Sequence, residues 1–73
     1  TRWREAAECY GRAAVAQPRN PWLYSQLGAV RAKAGDTDGA RAAFAQALQL
    51  APDDAAAKEG LQALEAAAAG GNP

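Results

Sequence analysis

The sequence predicts an all-α protein of stacked antiparallel helix hairpins, about four helices in all, and three observations carry that prediction. Alanine supplies 22 of the 73 residues, and alanine is the strongest helix former. The β-branched residues are two valines and two threonines with no isoleucine, too few for a sheet. Small and aromatic residues also recur with a period of 34: Ala6 with Ala40, Tyr10 with Phe44, Ala13 with Ala47, Gln17-Pro18 with Ala51-Pro52, and Asn20 with Asp54. A fixed period of this size marks a repeated helical unit that buries its apolar face only by stacking on neighbours.

The elements follow in order. Ala6, Tyr10 and Ala13 are spaced i, i+4, i+7, one face of a helix over 2–16. Arg4, Glu8 and Arg12 form a charged stripe on that helix, read as solvated rather than as a contact for a partner. Asn20 followed by Pro21 reads as an N-cap with proline at the first helical position, where its missing N–H does no harm. It opens a second helix over 21–34, on which Tyr24, Leu27, Gly28 and Arg31 follow i, i+3, i+4, i+7, with Leu23 and Val30 widening the stripe. Gly35 is the natural left-handed terminator. Asp36 then caps a third helix over 38–51, with Asp38 favourable to its dipole and Ala40, Phe44 and Ala47 on its inner face. That helix stops before Pro52, because the residue preceding proline avoids the α region. Asp54 caps a fourth helix over 55–69, leaving 70–73 as a frayed tail.

Composition narrows the function. Six leucines, two valines and five aromatics make a core poor in bulk, which suits helices whose backbones approach closely. Eight basic residues balance eight acidic ones with no basic run, so nothing attracts nucleic acid or an anionic bilayer. Apolar runs such as residues 66–69 fall far short of the ~20 residues a membrane span needs, and no signal peptide is evident. Cys9 is the only cysteine and histidine is absent, which excludes an internal disulfide, a cysteine zinc site and the usual catalytic base. The start at Thr1 reads as that of a processed or excised piece. Abundant Ala and Arg without Ile, Met or His point to GC-rich, bacterial coding, which leaves the compartment open between cytoplasm and periplasm.

Residues 21–54 resemble a tetratricopeptide repeat, the helix–turn–helix unit with an aromatic, Leu-Gly, a small residue, an aromatic, a small residue and proline at fixed positions. The matching residues are Tyr24, Leu27-Gly28, Ala40, Phe44, Ala47 and Pro52, with Arg31 departing where the family usually carries tyrosine. Residues 2–20, with Ala6, Tyr10, Ala13 and Pro18, look like the second helix of an upstream repeat. Residues 55–69 look like the first helix of a following repeat or a solvating cap, with Leu61 at the leucine position and Gln62 in place of glycine. The resemblance implies one domain over 1–73, built as a right-handed α-solenoid. It also implies a non-catalytic scaffold that binds a peptide or protein on a concave face.

Carried onto this chain, the groove positions are Trp22, Ser25, Gln26, Ala29 and Lys33, with Ala56, Glu59 and Ala63 on the last helix. Trp22 is the leading candidate, since an aromatic beside small residues buries much area at low entropic cost. Its competing role is packing against the preceding Arg19-Asn20 turn or the first helix. Lys33 either attracts a carboxylate or is simply solvated. Ser25, Ala29, Ala56 and Gly60 stand where chaperone-binding members carry a Lys/Asn clamp, so that clamp is absent. Trp3 reads as an inter-helix aromatic and Cys9 as a buried or half-buried small residue. Asp36 with Asp38 and Asp53 with Asp54 read as caps rather than metal ligands. Gly70-Gly71 lacks the strand and Lys-Ser/Thr of a phosphate loop. No cofactor is expected. Two other readings stay beside the binding module: self-association through the exposed first helix, and a regulatory or targeting appendage of an enzyme whose catalytic domain lies elsewhere.

Overall fold

The computed structural model describes residues 2–70, with side chains through residue 67. Four helices follow one another: α1 (Arg2–Ala16), α2 (Pro21–Lys33), α3 (Thr37–Leu50) and α4 (Ala55–Gly70). Among the described residues there is no strand.

The turns show why the helices stop where they do. α2 ends on Gly35, whose φ of 90° only glycine adopts without strain. The Asp36 N–H donates to Arg31 O at 2.9 Å and the Gly35 N–H to Ala32 O at 3.1 Å, the paired bonds of a Schellman terminator. Asp36 then caps α3 by accepting from the Gly39 N–H at 2.9 Å. The two proline-bearing turns are copies of each other. Gln17 N donates to Ala13 O at 2.9 Å and Asn20 N to Gln17 O at 3.1 Å; 34 residues on, Ala51 N donates to Ala47 O at 2.8 Å and Asp54 N to Ala51 O at 2.9 Å. The caps match too, Trp22 N donating to Asn20 Oδ1 at 3.1 Å and Ala56 N to Asp54 Oδ1 at 3.0 Å. The sequence period is therefore a period of hydrogen bonding as well as of side-chain size.

α2 is the central helix, packing against α1, α3 and α4; α4 also meets α3, whereas α1 touches α2 alone among the described residues. The result is a slab of 41 × 31 × 14 Å. At its centre Ala40, Phe44, Ala47 and Ala57 are buried, flanked by Tyr24, Ala29, Ala32, Leu48, Leu61 and Leu64. Phe44 organises this core. A Cβ added to Gly28 would stand 2.7 Å from Cδ1 and Cε1 of its ring, and one added to Gly60 would strike the ring's tip at Cζ. The ring is thus wedged between α2 and α4 in space that only glycine leaves free.

Four boundaries differ from the sequence expectation. Because Asp36 is itself the cap, α3 starts at Thr37 instead of 38; Ala34 is the C-cap of α2, so that helix closes at Lys33 instead of 34. Ala51 is extended ahead of Pro52 (φ −141°, ψ 87°), ending α3 at Leu50 instead of 51. Gly70, expected in the tail, is the last residue of α4. The rest of the expected tail, 71–73, lies outside the described residues.

Candidate partner-binding surface

On α2, Trp22, Gln26, Ala29 and Lys33 are spaced i, i+4, i+7, i+11 and share one face. Trp22 is 57% exposed, yet its ring meets that of Tyr10 on α1 edge-on, with centroids 6.2 Å apart and planes at 70°. Such a pair contributes about 1 kcal/mol beyond area burial. The two roles weighed for Trp22, packing on the first helix and presenting an aromatic surface, coexist in one side chain. Gln26 is half-buried, and so is Ala29, which packs against the core. Lys33 is exposed, and its Nζ lies 4.7 Å from the centroid of the Trp3 ring. That cation–π contact ties the end of α2 to the start of α1 and is worth about 0.5–1 kcal/mol at an exposed site. Trp3, 40% exposed, therefore links helices as expected, while Lys33, weighed as a carboxylate site or a solvated cation, is exposed and also engages that ring. On α4, Ala56, Glu59 and Ala63 are all exposed.

Ser25 is the correction. Expected on the groove, it is 3% exposed, and its hydroxyl donates to Asp54 Oδ2 at 2.7 Å. The other carboxylate oxygen, Oδ1, accepts from the N–H groups of Ala56 and Ala57 at 3.0 and 3.3 Å. Asp54 thus caps α4 with one oxygen and fastens α4 to α2 with the other. The sequence exposed the cap but not the fastening, because a contact between residues 29 apart leaves no local pattern.

Two further side chains differ from expectation. Arg31, which replaces a tyrosine of the resembled pattern, is half-buried, and its Nη1 donates to Gly39 O at 3.3 Å, bracing α2 against the first turn of α3. Cys9 is exposed rather than buried or half-buried, whereas its counterpart 34 residues on, Ala43, is buried. An apolar cleft of about 300 Å³ opens between α1 and α3, with Gly11, Ala14, Ala42 and Ala43 on its walls and Tyr24, Leu27 and Arg31 from α2 in its floor. Among the described residues no group of three or more His, Cys, Asp or Glu is placed to hold a metal ion, and no helix is long and apolar enough to cross a membrane.

Set against known families, residues 21–54 match the model of the tetratricopeptide repeat. No curated protein matches the chain. The matched segment begins at the N1 proline of α2 and ends at the carboxylate that caps α4, so the family unit coincides with one structural period of this molecule. Residues 21–54 of this helical protein, a little under half of its length, are thus similar to the tetratricopeptide repeat.

Proposed function

We propose that the chain is a non-catalytic platform that binds a peptide or protein segment along α2 and α4, with Trp22 as its principal anchor and Gln26, Ala29, Lys33, Glu59 and Ala63 around it. One observation carries this reading: a large aromatic that is more than half exposed is nonetheless held in place by the Tyr10 ring. An exposed, already oriented indole loses little side-chain entropy on binding and supplies the buried anchor that dominates small interfaces. Ser25 drops out of the contact set because its hydroxyl is occupied by Asp54. What remains is an aromatic at the head of α2 and a lysine at its foot, with small residues on α4 that let a partner backbone come close. A partner segment that offers an apolar side chain to Trp22 and a carboxylate to Lys33 fits this surface. It would compete with Trp3 for the lysine.

Panning a displayed library of random peptides on the immobilised chain tests the proposal. Selected peptides should lose at least about tenfold in affinity on Trp22→Ala, the scale of an aromatic hot spot. Unchanged affinity across independently selected peptides would refute the assignment.

Self-association through α1 is a second reading, favoured by a separate observation: among the described residues α1 touches α2 alone, and its Tyr10 is half-buried where the equivalent Phe44 is 4% exposed. Helix melting that moves to higher temperature with protein concentration would support it.

A further inference from the structure

We propose that the cleft between α1 and α3 binds a small amphiphilic carboxylate, a free short-chain fatty acid, with the Arg31 guanidinium holding the head group and the apolar walls covering the tail. The site is separate from the surface on α2 and α4. Tyr24, Leu27 and Arg31 follow i, i+3, i+7 on one side of α2, whereas Trp22, Gln26, Ala29 and Lys33 run along the opposite side.

The cleft exists because α1 and α3 both pack on α2 and, among the described residues, not on each other. Its walls are too short to close the gap. Ala14 and Ala43 are each 3% exposed, and a Cβ added to Gly11 would meet nothing within 4 Å. The space so left is about 300 Å³, at the lower end of small-molecule sites.

Its two ends differ in chemistry. At one stands Arg31, in place of the tyrosine of the tetratricopeptide pattern. Its Nη1 donates to Gly39 O at 3.3 Å, which uses one of the guanidinium's several N–H donors, and among the described residues Arg31 forms no ion pair. Toward the other end lie Tyr24 and Val15, and Val15 is 81% exposed, an apolar side chain with little cover of its own. The rise along α2 from Tyr24 to Arg31 is about 10 Å, close to the length of an octanoate chain.

These features select the occupant. A guanidinium with donors to spare favours a carboxylate and repels an ammonium group. Walls of alanine and glycine accept an alkyl chain but offer a polar ligand little to bond. A peptide strand would bury its own N–H and C=O groups there, because the backbone of both walls is already committed to helix hydrogen bonds. A helix, about 10 Å across, is too wide for this volume. Glu8 and Asp36 border an adjoining cavity that Arg31 also lines, and Arg4 stands with them. Their charges offset one another in part, so discrimination of the head group falls to Arg31 itself.

Nuclear magnetic resonance titration of the isotope-labelled chain with octanoate, octanol and octylammonium at neutral pH tests the proposal. Octanoate should give saturable shifts at Gly11, Ala14, Ala42, Ala43 and the Arg31 side chain. It should bind at least about tenfold tighter than octanol, the scale of one charge-assisted hydrogen bond, with octylammonium weaker than both. Arg31→Gln should bring octanoate level with octanol. Gly11→Leu, which fills the cleft from a position with room for a side chain, should abolish the binding of both. Far-UV circular dichroism confirms that each variant remains helical, and the comparison of head groups on the wild-type chain needs no variant at all. Octanoate that gives no saturable shifts, octylammonium that binds as tightly as octanoate, or octanoate binding unchanged by Gly11→Leu would each overturn the proposal.

Discussion

The bond between Ser25 and Asp54 makes a quantitative prediction, because it is the polar fastening between the two helices that form the proposed surface. Ser25→Ala removes a hydrogen bond to a carboxylate at 2.7 Å; with Asp54 half-buried, its worth lies near the lower end of the range for charged partners, about 1.5 kcal/mol. Asp54→Ala removes the same bond, deletes a cap worth about 1 kcal/mol, and strands a buried hydroxyl for about 1 kcal/mol more, roughly 3.5 kcal/mol together. The double variant loses the bond and the cap but strands nothing, about 2.5 kcal/mol. The single losses therefore exceed the double loss by about 2.5 kcal/mol, a coupling reserved for residues in direct contact. A domain of this size is stable by roughly 4–11 kcal/mol, so each change is measurable. Urea unfolding followed by circular dichroism reads all four corners of the cycle. Amide exchange should show α4 opening before α2 and α3 in both single variants. A coupling below about 0.5 kcal/mol, or exchange in α4 that stays level with α3, would refute the fastening.

The remaining predictions concern glycine and aromatic positions. Gly28→Ala should destabilise by about 1–3 kcal/mol through overpacking against Phe44. Gly11→Ala, where an added Cβ meets nothing within 4 Å, should stabilise α1 by about 0.5–1 kcal/mol, so the two identical exchanges move the melting temperature in opposite directions. Phe44→Ala should lose about 3–5 kcal/mol, a large share of the molecule's stability, and calorimetry should show a broadened or missing transition. Gly35→Ala places a side chain at a φ of 90° and should lower stability by about 1 kcal/mol in denaturant unfolding while leaving helix content intact.

Local chemistry made most of the architecture legible. Asn20-Pro21, Gly35-Asp36 and Pro52 with Asp54 each carry their own physical signal, and each marks a helix end to within a residue. The repeat was readable because Ala6/Ala40, Tyr10/Phe44 and Ala13/Ala47 keep both spacing and size. Side-chain fates were less legible where they depend on a distant partner. Ser25 looks like a surface hydroxyl until Asp54 approaches it, and Lys33 looks unengaged until α1 brings Trp3 over it. Arg31 is similar: the sequence shows only its departure from the family's tyrosine, and its length lets it reach a backbone oxygen on α3. Cys9 went the other way, since its neighbours on α1 do not reveal which side of the helix a partner covers.

On the proposed reading, α2 and α4 together present the surface a partner grips. Chemical-shift mapping of the isotope-labelled chain with a library-selected peptide tests it most directly. Trp22, Gln26, Ala29, Lys33, Glu59 and Ala63 should show the largest amide and indole shifts, with residues lining the cleft between α1 and α3 nearly unmoved. Shifts concentrated on Gly11, Ala14, Ala42 and Ala43 would place recognition in that cleft and contradict the claim.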